Sequence, residues 1–352
     1  MMEKRAVRIG DFEISDSSKA YVIAEIGHNH QGSLKLCKDI IEAAATCGVS
    51  AVKLQKRDNR RLYTPEYFNR PYSSENSFGE TYGAHREFLE FDRSQYLELK
   101  EFSNQHGLDF FATAFDFASV DFLYEIGVPA IKIASGDLRS VPLIKYAMET
   151  GVPVIISTGA SSIDDVQFTY DELSFNKRGN FSLLQCTAIY PAVEEQLHLN
   201  VITSYRKLFK DTVIGFSSHD KGIAMSIVAF SLGARIIEKH FTLDRTMKGT
   251  DHAFSLEPHG MRRLVRDLEN AHVALGDPIK RVLPPEMAAR EKMGKKLIYS
   301  RDLHVGDVIG LNELELRSPG DGIAPSEMRR FVGKRLCQDV SQYDDLKESH
   351  FD

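Results

Sequence analysis

Cysteine is scarce in this sequence. Cys37, Cys47, Cys186 and Cys337 are the four, and none forms a CxxC pair. Cys37 and Cys47 fall in a helical-looking stretch and Cys186 in a strand-like run, so all four read as reduced thiols of a cytoplasmic protein. No apolar window approaches the length of a transmembrane helix. The N-terminal MMEKRAVRIGDFEIS also has no apolar signal core, so neither a membrane nor export is expected. Positive charge is not in excess: the net charge of −6 gives no support for a nucleic-acid partner or an anionic membrane surface. Any anionic substrate must then be held by locally placed cations. No Gly-rich dinucleotide fingerprint follows the first strand-like run.

What is present is length and an ordinary globular composition. The 352 residues, 42% hydrophobic and 27% charged, fit one barrel-sized domain plus a small one. A chain of this size needs no disulfide or metal in order to fold. Eight short apolar runs recur: 21–27, 51–55, 109–115, 130–135, 153–159, 182–187, 213–218 and 235–241. Between them lie segments such as LKLCKDIIEAAATCG and PLIKYAMETG, with apolar residues at helical spacing and a terminal Gly as C-cap. Strand and helix repeated eight times predict a (β/α)8 TIM barrel; a doubly wound open sheet is the alternative.

One connection, from Lys56 to about Phe91, is unusually long and shows no clear periodicity. After strand two it would lie over the C-terminal mouth of the barrel. The expected boundaries are a barrel over 1–276 with an N-terminal hairpin at 1–18, a Pro-rich linker over 277–293, and a small β-rich domain over 294–352. At this length the tail is marginal for an independent core.

Barrel strands are covered on both faces and should be almost continuously apolar. Here they carry Glu25, Lys53, Gln55, Lys132, Ser157, Ser217, His219, Glu238 and His240. Lys53/Gln55, Ser217/His219 and Glu238/His240 are each two apart and share a strand face. Unpaired buried charges cost several kcal/mol, so this set needs partners. Any one of them could be a barrel ion pair; together, at the strand ends where barrel enzymes place their sites, they point to a ligand. Lys53 and Lys132, with the hydroxyls of Thr113, Ser135, Ser157 and Ser217, read as a clamp suited to a carboxylate and a phosphate together. His219 and His240, on adjacent strands, can share a divalent metal or be structural. His28 and His30 in IGHNHQG are a competing pair, equally readable as hydrogen-bonded turn structure.

These segments also carry a family resemblance. YVIAEIGHNHQGSL, AVKLQ, FFATAFD, IKIASGD, VIISTGAS, CTAIYP, IGFSSHD and IEKHFTLDRTMKGTDHAFSLEP together resemble the sialic acid (nonulosonic acid) synthases, with legionaminic and pseudaminic acid synthases and spore-coat polysaccharide proteins among them. The likeness runs from about residue 20 to 340, and the tail resembles the family's antifreeze-like (SAF) domain. The resemblance implies condensation of phosphoenolpyruvate with an aldehyde sugar, usually an N-acyl hexosamine, with release of phosphate. It implies a divalent metal, Mn2+ or Mg2+, held by His219 and His240. Lys53, Lys132, Thr113, Ser135, Ser157 and Ser217 would bind phosphoenolpyruvate. Glu25, Gln55, Tyr190 and Asp251 would face the sugar and the reacting carbons, with Asn76 a further sugar contact. Glu25, His219, His240 and Asp251 form the implied catalytic set. A domain-swapped homodimer, each tail lidding the partner's barrel, is the implied assembly.

Two departures from the family's pattern fall on substrate contacts. Ala188 stands where relatives carry Asn or Ser after Cys-Thr, and Ser318 stands where bacterial relatives carry an Arg before Pro-Gly that reaches the sugar's N-acyl group. The reaction class survives both; the acceptor sugar stays open. The rivals are a metal-dependent aldolase or other 3-deoxy-2-keto sugar acid synthase on the same barrel, and a non-catalytic sugar-binding barrel.

Overall fold

The computed structural model describes residues 5–174 and 180–351. Residues 1–4, 175–179 and 352, which the expected hairpin, barrel and tail included, lie outside the described residues. The chain divides into two compact units, the first ending at Gly276 and the second starting at Asp277.

The first unit opens with an antiparallel hairpin, β1 (Ala6–Ile9) and β2 (Phe12–Ser15). Eight strands follow: β3 (Tyr21–Gly27), β4 (Ala51–Lys56), β5 (Asp109–Ala114), β6 (Ile131–Ile133), β7 (Val154–Ser157), β8 (Phe181–Cys186), β9 (Val213–Ser218) and β10 (Ile236–His240). Each pairs in parallel with its sequence neighbours, and β10 closes on β3. Closure excludes the open-sheet alternative. It also explains the apolar runs, since every residue of β3, β7, β8, β9 and β10 is buried.

The connecting helices follow from local signals. Leu34–Thr46 starts at Ser33, whose side chain accepts from the Leu36 amide, and it buries Cys37, Ile40, Ile41 and Ala44 at helical spacing against the barrel. Strand six is shorter than its apolar run. The chain leaves it at Ala134 for a 3-10 turn, Ser135–Asp137, so Ser135 stands on a turn above the strand.

The long connection is not structureless. It holds three short helices, Asn59–Leu62, Pro65–Phe68 and Tyr82–Phe88, capped by the side chains of Asp58, Thr64 and Thr81. Helices this short carry no readable amphipathic period; caps and an edge-to-face cluster of Tyr63, Tyr67, Tyr72 and Tyr82 order them instead.

In the second unit, the stretch expected as a linker contains the helix Met287–Met293. Its Glu291 carbonyl accepts from the Gly320 amide at 2.7 Å, tying it to the Pro-Gly turn. Strands β11 (Lys296–Tyr299) and β12 (Leu314–Arg317) pair antiparallel. Leu297, Tyr299, Ile309, Leu314, Phe331 and Leu346 form a core of the unit's own. Among the described residues, no helix is long and apolar enough to cross a membrane.

Candidate active site

Strand register assembles the site at the C-terminal mouth of the barrel. Glu25 on β3 lies opposite Lys53 on β4 and His240 on β10; Thr113 on β5 lies opposite both Gln55 and Lys132. Glu238 on β10 lies opposite Ser217 on β9. Because side chains alternate along a strand, all of these point inward. Glu25, Lys53 and Lys132 are each 2% exposed, and they line a cavity of about 490 Å³ shared with Ser135, Ser157 and Ser217. Gly27 ends β3 at φ +52°, and a Cβ there would sit 3.1 Å from both Gln55 Nε2 and Glu25 Oε1, so glycine keeps this corner open.

The polar contacts form a connected floor. Lys53 Nζ lies 2.8 Å from Glu25 Oε2 and 3.7 Å from Glu238 Oε2, and donates to Thr113 Oγ1 at 2.8 Å. Lys132 Nζ donates to Ser157 Oγ at 2.7 Å and to the Ile133 carbonyl at 2.8 Å. Ser217 donates to Glu238 Oε1, and the Gly159 amide donates to Ser135 Oγ. Lys53 therefore has two carboxylates beside it. Lys132 has only neutral acceptors, and among the described residues no carboxylate lies within 4 Å of it.

Burial opposes ionisation of both acids, but the outcome differs. Burial pushes Glu25 up to about 7, against the pull of Lys53. Burial also opposes ionisation of Glu238, but Lys132, Lys53 and the Ser217 hydroxyl outweigh it and hold that carboxyl well below its ordinary range. Two buried acids that share Lys53 thus titrate well apart, Glu25 near neutral pH and Glu238 far below it, the arrangement that supports acid–base work. Burial pushes the Lys132 ammonium down.

His219 and His240 stand with ring centroids 5.4 Å apart. His219 Nδ1 bonds the Thr187 carbonyl at 2.8 Å, which makes that nitrogen the N–H and leaves Nε2 with its lone pair. Burial, with the other imidazole as a lesser cause, lowers His219 to about 4; burial also lowers His240. Both stay neutral, as metal ligands must. His240 Nδ1 is buried without a hydrogen-bond partner, 3.7 Å from Asp251 Oδ2. Glu238 Oε2 is likewise buried and unpartnered. Two neutral imidazoles beside orphaned acceptors fit a divalent cation that takes further ligands from substrate or water. Among the described residues, no ready-made group of three or more His, Cys, Asp or Glu ligands is present.

The competing pair, His28 and His30, separates. His30 is buried and stacked on Phe91 at 4.3 Å, with Nδ1 accepting from the Gly32 amide. His28 lines the main cavity between two guanidinium groups, Arg57 and Arg86.

Other expected contacts are distributed as follows. Gln55 Nε2 donates to Glu25 Oε1 at 2.9 Å, and the Tyr190 ring lies tilted against His219, with centroids 4.1 Å apart. Both line the cavity with Asp251 and Ala188. The side-chain oxygen of Asn76 accepts from the Gly249 amide at 2.9 Å, in a small adjoining cavity with Arg86 and Asp251 rather than in the main one. Ser318 belongs to the second unit, at the turn after β12. Arg57 and Arg86 went unnoticed in the sequence because both lie in the connection that shows no period. The signal available was Arg57 itself, which continues the Lys53/Gln55 alternation by two.

A model of the NeuB family matches residues 40–280. N-acetylneuraminate-9-phosphate synthase of Homo sapiens is 39% identical over 333 residues, covering 94% of this chain and 92% of that one. N,N'-diacetyllegionaminic acid synthase of Legionella pneumophila is 34% identical over 347 residues, 96% of each chain. Among solved structures, N-acetylneuraminic acid (sialic acid) synthetase from Leptospira borgpetersenii shares the fold with a TM-score of 0.71 at 32% identity, covering 81% of this chain and 95% of that one. The inward polar residues of the barrel and these likenesses lead to one conclusion: the chain belongs to the NeuB family.

Proposed function

We propose that this protein condenses phosphoenolpyruvate with an aldehyde sugar, giving a nonulosonic acid and inorganic phosphate. The observation that carries the reading is the cavity floor. Lys132 is a buried cation whose hydrogen bonds go only to neutral acceptors, next to Lys53 and hydroxyls from neighbouring strands. Phosphoenolpyruvate offers such a floor a carboxylate and a phosphate at once.

Carbon 3 of phosphoenolpyruvate attacks the aldehyde carbon, and the aldehyde oxygen takes up a proton. Water adds to the cationic carbon 2 and gives up a proton, and the tetrahedral intermediate expels phosphate as its carbon 2 oxygen becomes the keto group. Glu25, raised to about 7 and linked through Gln55 to the upper cavity, is the residue to orient or deprotonate that water. Lys53 and Lys132 hold the anionic groups, with Thr113, Ser135, Ser157 and Ser217 as hydroxyl partners. Gln55, Tyr190, Asp251 and Asn76 stand on the acceptor side. A divalent cation, Mn2+ or Mg2+, held by His219 and His240, would supply Lewis-acid polarisation of the aldehyde.

The same proposal includes a cytoplasmic enzyme, supported by four free cysteines. It also includes the homodimer implied by the resemblance, with an antifreeze-like tail over residues 294–352 that brings Ser318 toward the sugar. A chain that sediments as a monomer at micromolar concentration would remove the dimer. The reaction is tested by following phosphate release from phosphoenolpyruvate with Mn2+ and a panel of hexosamines. Turnover with an aldehyde sugar is expected; cleavage of a keto-acid sugar without phosphoenolpyruvate would favour an aldolase instead. One relative's name carries a 9-phosphate and another's does not, so the class of acceptor has to be sought in this chain's own residues.

A further inference from the structure

Residues 53, 55 and 57 point to one side of β4 and its extension. At about 3.3 Å per residue, Arg57 stands some 13 Å beyond Lys53 along the direction leaving the barrel. Lys53 is on the floor, Gln55 is beside Glu25, and Arg57 is the next step outward. Its guanidinium is buried flat on the Phe115 ring, 3.7 Å from the centroid, and Nη2 donates to Gln55 Oε1 at 2.8 Å. Its Nε is buried and has no partner. Arg86 comes down from the helix Tyr82–Phe88, with Nε and Nη2 donating to the Tyr82 hydroxyl.

Between them lies His28. Arg57 Nη1 is 3.3 Å from its Nε2, and Arg86 Nη1 is 3.2 Å from its Nδ1. A neutral imidazole has one lone pair, so it accepts from one of these donors and faces the other with its own N–H. Burial, then Arg57 and Arg86, push His28 well below its ordinary pKa, so it stays neutral and compensates neither charge. The nearby arginines Arg60 and Arg61 are paired with Glu87 and Asp58 at 3.1 and 3.2 Å. Among the described residues, neither the Arg57 nor the Arg86 guanidinium has a carboxylate within 4 Å; Glu90 Oε2 accepts from the Arg57 backbone amide at 3.3 Å and from Lys56 at 2.8 Å instead. Two desolvated guanidiniums with spare donors lack an oxyanion, and phosphate suits their fork geometry.

We propose that Arg57, Arg86 and His28 bind a phosphate monoester at the end of the acceptor sugar farthest from its aldehyde, so that the enzyme's acceptor is a sugar phosphate. The inference rests on the condensation proposed above. The floor takes phosphoenolpyruvate, the aldehyde lies near Glu25 and Gln55, and the distal carbon points out of the barrel toward Arg57. All three site residues line the same cavity as the floor.

The experiment compares N-acetylhexosamines as free sugars and as 6-phosphates, following loss of phosphoenolpyruvate for turnover and titration calorimetry for binding. Wild-type enzyme is expected to show kcat/KM at least about 100-fold higher for a 6-phosphate, from two charge-assisted contacts. Arg57→Gln and Arg86→Gln should each cut that preference about 10- to 100-fold without raising KM for phosphoenolpyruvate, and Arg86→Lys should recover part of it. Equal kcat/KM for the two forms in wild type overturns the proposal, and needs no variant to fold. A preference that survives both substitutions, or a KM rise for phosphoenolpyruvate alone, overturns it too, the first leaving the arginines as loop anchors. Binding of 6-phosphates with no consumption of phosphoenolpyruvate sinks the condensation reading while keeping the anion site; turnover of free sugars only sinks the site while keeping the condensation.

Discussion

Glu25→Gln should make this protein more stable and less active, by amounts that depend on pH. A carboxyl with an ordinary pKa of 4.5, raised to about 7 on folding, gives up its proton more readily in the unfolded chain. The sign follows: the folded state is penalised as pH rises above 4.5, and the penalty is complete above 7. At about 1.4 kcal/mol per pH unit this comes to about 3 kcal/mol, undiluted by solvent because Glu25 is 2% exposed. Gln removes the ionisation with little change in shape. Gln55 keeps an acceptor, and Lys53 keeps Thr113 at 2.8 Å and Glu238 at 3.7 Å. The variant should melt with wild type near pH 4.5 and roughly 5 °C above it at pH 8. Turnover should fall about 10²–10⁴-fold while phosphoenolpyruvate still binds. Circular-dichroism melts of both proteins across this range test the stability arm. A melting gap that does not widen with pH, or a variant that melts lower at pH 8, would refute the protonation argument. Wild-type turnover in the variant would refute the catalytic role.

Lys132→Met removes the largest attraction that holds buried Glu238 ionised, leaving Lys53 at 3.7 Å and the Ser217 hydroxyl, so calorimetric affinity for phosphoenolpyruvate should fall at least about tenfold and stability at neutral pH should fall with it, a loss that added Glu238→Gln should offset. Lys239→Met tests a pair outside the cavity. Lys239 points to the outer face of β10 and pairs with Asp220 at 2.8 Å, so its loss leaves that carboxylate buried and should cost about 3–5 kcal/mol in denaturant titrations. Adding Asp220→Asn should recover much of this, and a double variant no better than the single would refute the pairing. Chelator should abolish turnover and Mn2+ or Mg2+ restore it, whereas His219→Ala and His240→Ala should lower metal affinity in direct titration; turnover indifferent to chelator would remove the metal.

The barrel was legible because a parallel strand covered on both faces must be apolar and its connecting helix must be amphipathic, so the alternation is written into local composition. The polar exceptions were legible for the same reason, since Glu25, Lys53 and Lys132 violate the rule their strands obey. Lys239 violates it equally and is structural. What separates it from Lys53 is only which face of the sheet it occupies, and whether a carboxylate waits there. The long connection was opaque because its helices are too short for a period and are ordered by caps and tyrosine edges.

The sequence by itself determined the β/α alternation, the family likeness and the polar residues at the mouth, because hydrophobic period and residue chemistry are local properties. Tertiary structure alone decided which of those residues share a cavity. Barrel closure brings Glu25 opposite His240, the placing of Lys132, Lys53 and Ser217 around Glu238 sets it apart from Glu25 in protonation, and the fold of the long connection lowers Arg86 onto His28 beside Arg57. Each depends on distance and desolvation between residues far apart in the chain, which no local pattern records.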